Sequence, residues 1–321
     1  MQPFSSYKEK QAAIKFIKDK FSQALEQELN LAEVCAPILT KHGDGIQDDL
    51  NGIEKPVTVQ IKTIPNTTFE VVHSLAKWKR LLLSQHEFQQ NEGIYTHMLA
   101  LRPDEEKLDA SHSVCVDQWD WEMVIDKEER SLEKLKTIVE KLYECIKTTH
   151  IDVCTRFFLE KFLPEKITFI HTEDLAKEFP DKTSKEREHE ICKRHKAVFL
   201  IGIGGEISPG LIHDGRAPDY DDWTTPTYDH YKGLNGDILV WNPALQDAFE
   251  ISSMGIRVDK EALLRQLKIR DREKDLACVW HQLLVSDKLL QTIGGGIGRS
   301  RLTMFLLQQK HIGDVQCSVW P

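Results

Sequence analysis

A glycine-rich run near residue 296 limits most strongly what this chain can fold into. Four of the five residues from 294 to 298 are glycine, and an apolar run that includes Leu302, Met304 and Phe305 follows at once. Glycine has no Cβ, so the backbone here can lie flush against a flat ligand. The apolar run predicts a buried helix, which places Arg301 near a helix start, where a guanidinium and free N–H groups can face an anion together. The alternative interpretation is a tight turn before a core helix.

Other phosphate, nucleophile and metal motifs are missing from the sequence. The glycine run lacks the spacing of a dinucleotide fingerprint and its acidic residue about twenty positions on. We find no Walker-type phosphate loop, no nucleophile elbow and no zinc motif, and the thirteen histidines show no metal-ligand spacing. The seven cysteines are scattered without a Cys-x-x-Cys pair. Such an unpatterned set is typical of reduced thiols, so we expect a cytoplasmic protein.

Charge and hydropathy argue against nucleic-acid and membrane partners. The 321 residues carry a formal net charge of −9, and the pI is near 5.8. An acidic chain of this kind does not favour a large nucleic-acid footprint. No apolar run approaches transmembrane length, and the first ten residues lack the apolar core of a secretory signal. Because no linker or internal repeat divides the chain, we predict a single domain over residues 1–321.

Hydrophobic periodicity predicts an α+β fold. Apolar residues recur at helical spacing from 7 to 29, and Tyr95–Arg102 and Ser113–Val124 predict a long antiparallel hairpin. Further helices are predicted at 127–150, 184–196 and 259–286, and further strands at 33–39, 57–61, 69–72, 197–203, 237–241, 248–257, 291–293 and 315–320. Strands joined mostly by hairpins, with helices gathered in blocks, predict a mostly antiparallel sheet flanked by helices.

Polar residues on the second strand of this hairpin are candidates for a site. Gln118 and Asp120 alternate with Trp119 and Trp121, so the two pairs lie on opposite faces of the strand. Gln118 and Asp120 either face solvent or face an occupied cavity. The two tryptophans favour a sheet that is covered on both sides.

Two acids on a later hairpin are candidates for a metal site. Asp237 and Glu250 lie on opposite arms of the hairpin that turns at Asn242-Pro243. Two carboxylates on neighbouring strands repel each other unless a cation lies between them, and Mg²⁺ held by one or two carboxylates plus phosphate oxygens is usual in ATP sites. The alternative is two separately solvated acids, which the apolar flanking residues make less favourable.

Arg102 and Asp221 each have two interpretations. Arg102 ends a predicted strand beside Pro103 and is placed to bind a phosphate or carboxylate with two hydrogen bonds, or to form a surface ion pair with Asp104 or Glu105. Asp221 belongs to an acidic loop that suits an amine, a ribose or a metal, although such loops are commonly solvated.

Three further residues are ambiguous when taken singly. Asp48 lies in a polar loop, residues 42–52, that contains several glycines. Ser74 precedes a predicted helix, so N-capping is its default role. Lys79 lies on that helix beside other basic residues, where a solvated basic face is the simplest interpretation.

The order of these segments resembles the catalytic core of the class II aminoacyl-tRNA synthetases. The first helix and the strand ending at Pro37 resemble motif 1, the hairpin with Arg102-Pro103-Asp104 resembles motif 2, and the run from Gly294 to Arg301 resembles motif 3. Residues 250–257 look like the magnesium and ATP strand of the aspartyl and asparaginyl branch.

The sequence is still more similar to the ammonia-dependent asparagine synthetases of type A. The similarity covers nearly the whole chain and is carried by blocks at 43–48, 69–80, 95–98, 100–105, 116–122, 216–223, 234–243 and 294–301. It implies a homodimer that converts L-aspartate, ammonia and ATP into asparagine, AMP and pyrophosphate through a β-aspartyl adenylate, with Mg²⁺ as the metal cofactor.

The resemblance also implies roles for individual residues. Arg102 and Arg301 would stabilise phosphate and acyl-phosphate oxygens, and Asp237 and Glu250 would hold Mg²⁺. The residues expected near the nucleotide are Gly294, Gly295 and Gly296, with Asp221 near polar groups of the ligand, and those expected around the amino acid are Ser74, Lys79, Gln118, Asp120 and Ser253. Asp120 is the natural partner for the ammonium group of aspartate.

Asp48 would close over the site and bind the incoming ammonium. A carboxylate of ordinary pKa is a poor base for ammonium, so whether Asp48 deprotonates this ion or mainly attracts it stays open.

Two other functions are compatible with the resemblance. An aspartyl-tRNA synthetase-like paralogue would use the same adenylate, but the chain is acidic and we expect no anticodon-binding barrel ahead of residues 7–29. A non-catalytic regulator would bind an amino acid or adenylate, which the intact set of Arg102, Asp237, Glu250 and Arg301 makes less favourable.

Overall fold

The computed structural model describes residue 4 and residues 6–50, 54–105, 108–208 and 210–320. Gly52, near the end of the loop predicted at 42–52, lies outside these residues.

The described residues form eight α-helices and thirteen β-strands. The helices are α1 (Tyr7–Leu29), α2 (Ala76–Gln85), α3 (Leu132–Phe157), α4 (Thr172–Glu178), α5 (Ser184–His195), α6 (Lys260–Ile269), α7 (Val279–Val285) and α8 (Arg299–Leu306). The strands are β1 (Leu31–Glu33), β2 (Leu39–Lys41), β3 (Thr58–Gln60), β4 (Thr68–Val71), β5 (Gly93–Leu101), β6 (Cys115–Val124), β7 (Thr168–His171), β8 (Ala197–Ile201), β9 (Glu206–Ser208), β10 (Leu211–Ile212), β11 (Asn235–Asn242), β12 (Asp247–Ile256) and β13 (Thr292–Gly298).

Eight strands join in one mixed sheet with the order β1-β5-β6-β13-β12-β11-β8-β7. The five inner pairs are antiparallel, as the sequence predicts, but β1 pairs with β5 and β7 pairs with β8 in parallel. Helices α4 and α5 connect β7 to β8, because parallel neighbours need a long crossover. Strands β2, β4 and β3 form a small second sheet, and β9 and β10 form a third.

One face of the large sheet packs on the main hydrophobic core. Trp119 and Trp121 of β6 are fully buried there with residues of α1, α3 and α8, and the ring centroids of Phe21 and Trp119 lie 4.6 Å apart. Because side chains alternate along a strand, Gln118, Asp120 and Glu122 lie on the opposite face. The helices that cover the tryptophans therefore decide which face of β6 is left for polar groups.

The glycine run is part of a strand, so its interpretation as a tight turn is wrong. Gly294, Gly295 and Gly296 pair with β6 on one side and with β12 on the other. A Cβ on Gly294 would overlap the carboxylate of Glu122, and one on Gly296 would overlap the amide of Gln118. The glycines therefore make room for large polar side chains on the adjacent strand.

Three further local predictions differ from the structure. The strand predicted over 33–39 is two short strands, β1 and β2, separated at Pro37, whose nitrogen has no hydrogen to donate. Residues 315–320 form no strand. The N-cap of α2 is Leu75, although the hydroxyl of Ser74 accepts a hydrogen bond from the N–H of Ala76 at 3.4 Å.

The helices of the described residues include none that combines the length and the apolar character needed to cross a membrane.

Candidate active site

A cavity of about 1090 Å³ lies on the polar face of β6, β12 and β13. Twelve of the fourteen predicted site residues line it: Asp48, Ser74, Arg102, Gln118, Asp120, Asp221, Asp237, Glu250, Ser253, Gly295, Gly296 and Arg301. Gln118 and Asp120 therefore face a cavity rather than bulk solvent. The fold brings together residues that are up to about 250 positions apart in the sequence.

Lys79 and Gly294 do not line this cavity. Lys79 is fully buried, and its Nζ donates hydrogen bonds to Asp120, to the carbonyl of Trp121 at 2.8 Å and to that of Gly295 at 3.2 Å. The interpretation of Lys79 as part of a solvated basic face is therefore wrong. Burial lowers the pKa of Lys79, against the neighbouring carboxylates of Asp120 and Glu122. Gly294 lies beneath the side chains of Glu122 and Arg257.

Buried charges of alternating sign run along the wall of the cavity and beneath it. The chain of ion pairs passes through Lys79, Glu122, Arg257, Asp221, Arg216 and Asp237 in that order. The Lys79–Glu122 and Glu122–Arg257 contacts measure 3.8 and 2.7 Å. A buried charge is tolerated when opposite charges and hydrogen bonds surround it, so removing one member leaves its neighbours uncompensated. This network holds both ends of the cavity in a defined geometry.

Local electrostatics differ along the network. Burial opposes ionisation of Glu122, but the Arg257 guanidinium holds the pKa of Glu122 below its ordinary value. At Asp221, by contrast, burial raises the pKa despite Arg257 and Arg216. The carboxylate of Asp221 is therefore protonated more readily than that of Glu122.

Asp237 and Glu250 meet on the cavity face because β12 contains an irregularity. Asp237 is opposite Ser253 and Leu239 is opposite Glu250, with a register shift between Ile238 and Leu239. Without the extra residue, Glu250 would alternate onto the face opposite to Ser253. A β-bulge re-aims a side chain in this way. The bulge therefore puts both candidate metal ligands on one side of the sheet.

The surroundings of these two carboxylates suit a cation. Burial raises the pKa of Asp237 to about 6, with Glu250 acting in the same direction and Arg216 against it. Nη1 of Arg301 lies 3.7 Å from Oε1 of Glu250. The described residues hold no cluster of three or more His, Cys, Asp or Glu side chains suited to a metal. A metal held here would take its other ligands from substrate and water, as Mg²⁺ commonly does.

Arg102 and Arg301 reach the cavity from different elements. Arg102 follows β5, and its Nη2 donates to the carbonyl of His73 at 2.9 Å. Arg301 is the third residue of α8, close to the helix start, as predicted, and its Nε donates to the carbonyl of Ser111 at 3.4 Å. These contacts use only part of the hydrogen-bonding capacity of each guanidinium, which leaves donors for an anion.

The loop that carries Asp48 is packed against the rest of the protein. Asp48 is only 2% exposed, and its backbone N–H donates to Oε1 of Gln47 at 3.2 Å. Asp49 pairs with Arg272, and the carbonyl of Asp44 accepts the N–H of Trp280 at 3.2 Å. The loop therefore covers part of the cavity in this structure.

A second buried cluster supports the same region. Nζ of Lys77 lies 2.6 Å from Oδ2 of Asp219, and Nε2 of His281 lies 3.1 Å from the same oxygen. Burial opposes ionisation of Asp219, but Lys77 and His281 hold its pKa far below the ordinary value. Tyr220, next in the sequence, lines the cavity.

Sequence reasoning missed four of these residues. Glu122 shares the parity of Gln118 and Asp120, so the period of the strand offered a signal for it. Arg216 belongs to a block that carries the family resemblance, and Arg257 to the segment 250–257 that resembles the synthetases, but nothing local marks either as a cavity residue. His73 is also fully buried and lines the cavity; it lies in the block 69–80 that carries the family resemblance, but nothing in that block marks it as a cavity residue.

Solved structures share this fold. Asparaginyl-tRNA synthetase of Entamoeba histolytica in complex with asparaginyl-adenylate has a TM-score of 0.70 and 14% identity, over 96% of this chain and 66% of that chain. The corresponding complex from Pyrococcus horikoshii has a TM-score of 0.70 and 15% identity, over 97% and 70%. Aspartyl-tRNA synthetase of E. histolytica has a TM-score of 0.62 and 14% identity, over 95% and 57%.

At these identities the likeness concerns the fold, and it confirms the predicted similarity to class II synthetase catalytic domains. The chain spans about two thirds or less of the E. histolytica enzymes it matches. The sequence family described as aspartate–ammonia ligase matches residues 8–321, nearly the whole chain. This protein therefore belongs to the aspartate–ammonia ligase family of enzymes.

Proposed function

We propose that the protein makes L-asparagine from L-aspartate, ammonia and ATP, and releases AMP and pyrophosphate. The observation that carries the proposal is a family match over residues 8–321 together with a cavity that has two arginines and two carboxylates on its walls. Ammonia does not displace oxygen from a free carboxylate, so the reaction needs an activated acyl group. A β-aspartyl adenylate supplies it, and the similar fold of proteins solved with asparaginyl-adenylate supports this intermediate.

In the first step, a side-chain oxygen of aspartate attacks the α-phosphate and pyrophosphate leaves. Arg102 and Arg301 stabilise the charge that develops on the phosphate oxygens, because fixed donors in a cavity need no reorganisation during the reaction. Asp237 and Glu250 would hold Mg²⁺, which neutralises phosphate charge when it is bound. The donor set fits this ion because the two carboxylates share one face and leave room for phosphate oxygens.

The amino acid lies at the β6 end of the cavity. Asp120 accepts hydrogen bonds from the substrate ammonium group, while Ser74, Gln118 and Ser253 line the space around it. Lys79 acts through Asp120, which it contacts directly from the buried side. Gly295 and Gly296 line the cavity and lie near the nucleotide, with Asp221 near its polar groups. Gly294 makes room for Glu122.

In the second step, ammonia attacks the acyl carbon and AMP leaves. Asp48 draws ammonium to this position by its negative charge. The loop around Asp48 covers the cavity and keeps water from hydrolysing the adenylate.

Three broader predictions accompany this function. We propose a single catalytic domain over residues 1–321, a cytoplasmic location and a homodimer. Ile38, just before β2, and Leu99, on β5, are exposed and offer apolar surface for a second copy. Sedimentation at several protein concentrations tests the dimer.

Oxygen labelling tests the adenylate mechanism. Aspartate labelled with heavy oxygen in its side-chain carboxylate should transfer label to AMP, because that oxygen becomes bonded to the α-phosphorus. Label in inorganic phosphate with none in AMP contradicts the proposal. Charging of tRNA in place of asparagine formation identifies a tRNA synthetase, and adenylate binding without turnover identifies a regulator.

A further inference from the structure

His73 contacts the two parts of the cavity on which the second step depends. Its ring Nδ1 lies 3.1 Å from the carbonyl oxygen of Asp48. Its backbone N–H donates to Oε1 of Gln47 at 2.9 Å, and its carbonyl accepts a hydrogen bond from Nη2 of Arg102 at 2.9 Å. One residue therefore joins the proposed ammonium-binding loop to an arginine of the proposed adenylate site.

The contact with Asp48 determines which ring nitrogen of His73 is basic. A carbonyl oxygen only accepts hydrogen bonds, so Nδ1 carries the hydrogen and Nε2 carries the free lone pair. Nε2 is buried and has no hydrogen-bond partner in the part of the chain that the structure describes. Buried polar atoms nearly always have a partner, so this atom needs one that the protein does not provide. His73 also lines the cavity, where ammonium is a suitable donor.

We propose that Nε2 of His73 accepts a proton from ammonium held at Asp48, an inference that rests on the proposed function. The N–H bond of ammonium breaks and a new N–H bond forms at Nε2, which leaves ammonia and an imidazolium. Ammonia then forms a C–N bond with the acyl carbon as the C–O bond to AMP breaks, and AMP takes the electron pair. The nitrogen loses its surplus proton to solvent, and so does the imidazolium after the reaction.

The charges around His73 are consistent with His73 as the base and Asp48 as the group that attracts ammonium. Imidazole is in general a stronger base than a carboxylate. The negative charge of Asp48 attracts the arriving ammonium. Arg102 faces the carbonyl of His73 rather than the ring nitrogens, and Lys77 interacts with Asp48 from helix α2.

The variant His73→Asn tests whether His73 acts as a base or only supports the structure of the loop. Asparagine retains an N–H near the position of Nδ1, which can still donate to Asp48, but it has no basic nitrogen. We measure aspartate-dependent exchange of pyrophosphate into ATP, asparagine formation from ammonium, and hydroxamate formation from hydroxylamine. Hydroxylamine is neutral near neutral pH and attacks without losing a proton first.

We expect exchange and hydroxamate formation by His73→Asn within about twofold of wild type. Asparagine formation from ammonium should fall about a hundredfold, which is the size of a general-base contribution. If the rates with ammonium and hydroxylamine fall equally, or if pyrophosphate exchange is lost, His73 has only a structural role and the inference is overturned. Unchanged asparagine formation overturns it as well.

Gln47→Ala is the matched control, because it removes a support of the loop and keeps the imidazole. It should slow the reactions of ammonium and hydroxylamine equally. If His73→Asn does not fold, His73→Gln takes its place and the ratio of the two amine rates carries the test. A wild-type enzyme that shows neither exchange nor asparagine formation refutes the proposed function rather than the role of His73.

Discussion

Nη2 of Arg216 lies 2.6 Å from Oδ1 of Asp237, so the carboxylate proposed to bind magnesium already has a cationic partner. Arg216 also donates to the hydroxyl of Ser253 on the neighbouring strand. A metal that binds Asp237 must share or replace the arginine contact. The metal end of the cavity is therefore coupled to the buried ion pairs that continue through Asp221 to Arg257.

Asp237→Asn should raise the Mg²⁺ concentration needed for half-maximal pyrophosphate exchange by on the order of tenfold or more, because a neutral amide is a weaker ligand for this ion. The KM for aspartate should change much less. Asp287→Asn is the control, since Asp287 is exposed and pairs with Lys127 on the surface. An unchanged Mg²⁺ dependence in Asp237→Asn contradicts the assignment of this carboxylate.

Arg102→Ala and Arg301→Ala should each slow pyrophosphate exchange by on the order of a hundredfold or more, because each removes a charged donor from the transition state. Thermal unfolding should show little change. Arg194→Ala serves as a control, since Arg194 is half-exposed and pairs with Glu178. Near-normal exchange by either cavity variant, with a normal melting temperature, rules out its role as a phosphate clamp.

Asp48→Asn should leave pyrophosphate exchange largely intact and slow asparagine synthesis, because the shape is kept while the charge that attracts ammonium is lost. Both rates are measured over a range of ammonium concentrations. Asp49→Asn is a close control, since this neighbour pairs with Arg272. If Asp48→Asn makes asparagine at the wild-type rate, Asp48 only supports its turn. If exchange falls equally, Asp48 serves aspartate binding.

Asp219→Asn should lower the free energy of unfolding at neutral pH by about 3 kcal/mol, because it leaves Lys77 buried without its carboxylate. The pKa of Asp219 is depressed in the folded state, against the effect of burial, by Lys77 and His281. The stability that Asp219 contributes is therefore present above the unfolded-state pKa, about 4, and declines as pH falls below it.

Urea unfolding at neutral and acid pH checks this expectation. The difference in the free energy of unfolding between wild type and Asp219→Asn should become smaller at acid pH. Asp49→Asn, which removes a half-exposed ion pair with Arg272, should cost less than about 1 kcal/mol. If the two variants lose the same free energy of unfolding, burial of the Lys77–Asp219 pair does not increase its contribution to stability.

Local periodicity was enough to predict the elements that frame the site. The helix at 7–29, the β5–β6 hairpin and the helix after the glycine run are present in the structure. Each follows from the spacing of apolar residues that are close in the sequence, because burial of one face imposes that spacing. The same period placed Gln118 and Asp120 on one face of β6.

Contacts between distant segments decided what the pattern left open. Helices α1, α3 and α8 cover the tryptophan face of β6, so Gln118 and Asp120 face the cavity. The glycine run is a central strand because β6 and β12 supply partners on both sides, and no residue near the run in sequence carries that information. Lys79 is buried because it meets Asp120 and the carbonyl of Gly295, which lies 216 residues away.

The sequence by itself determined the elements that frame the site, the family and twelve of the residues that line the cavity. Only the tertiary structure placed Glu250 beside Asp237, because this depends on one extra residue in β12. Only the tertiary structure joined the buried ion pairs from Lys79 to Arg216. The physical reason is that periodicity records which face of an element is buried. Charge compensation depends on which other segments the fold brings within a few ångströms.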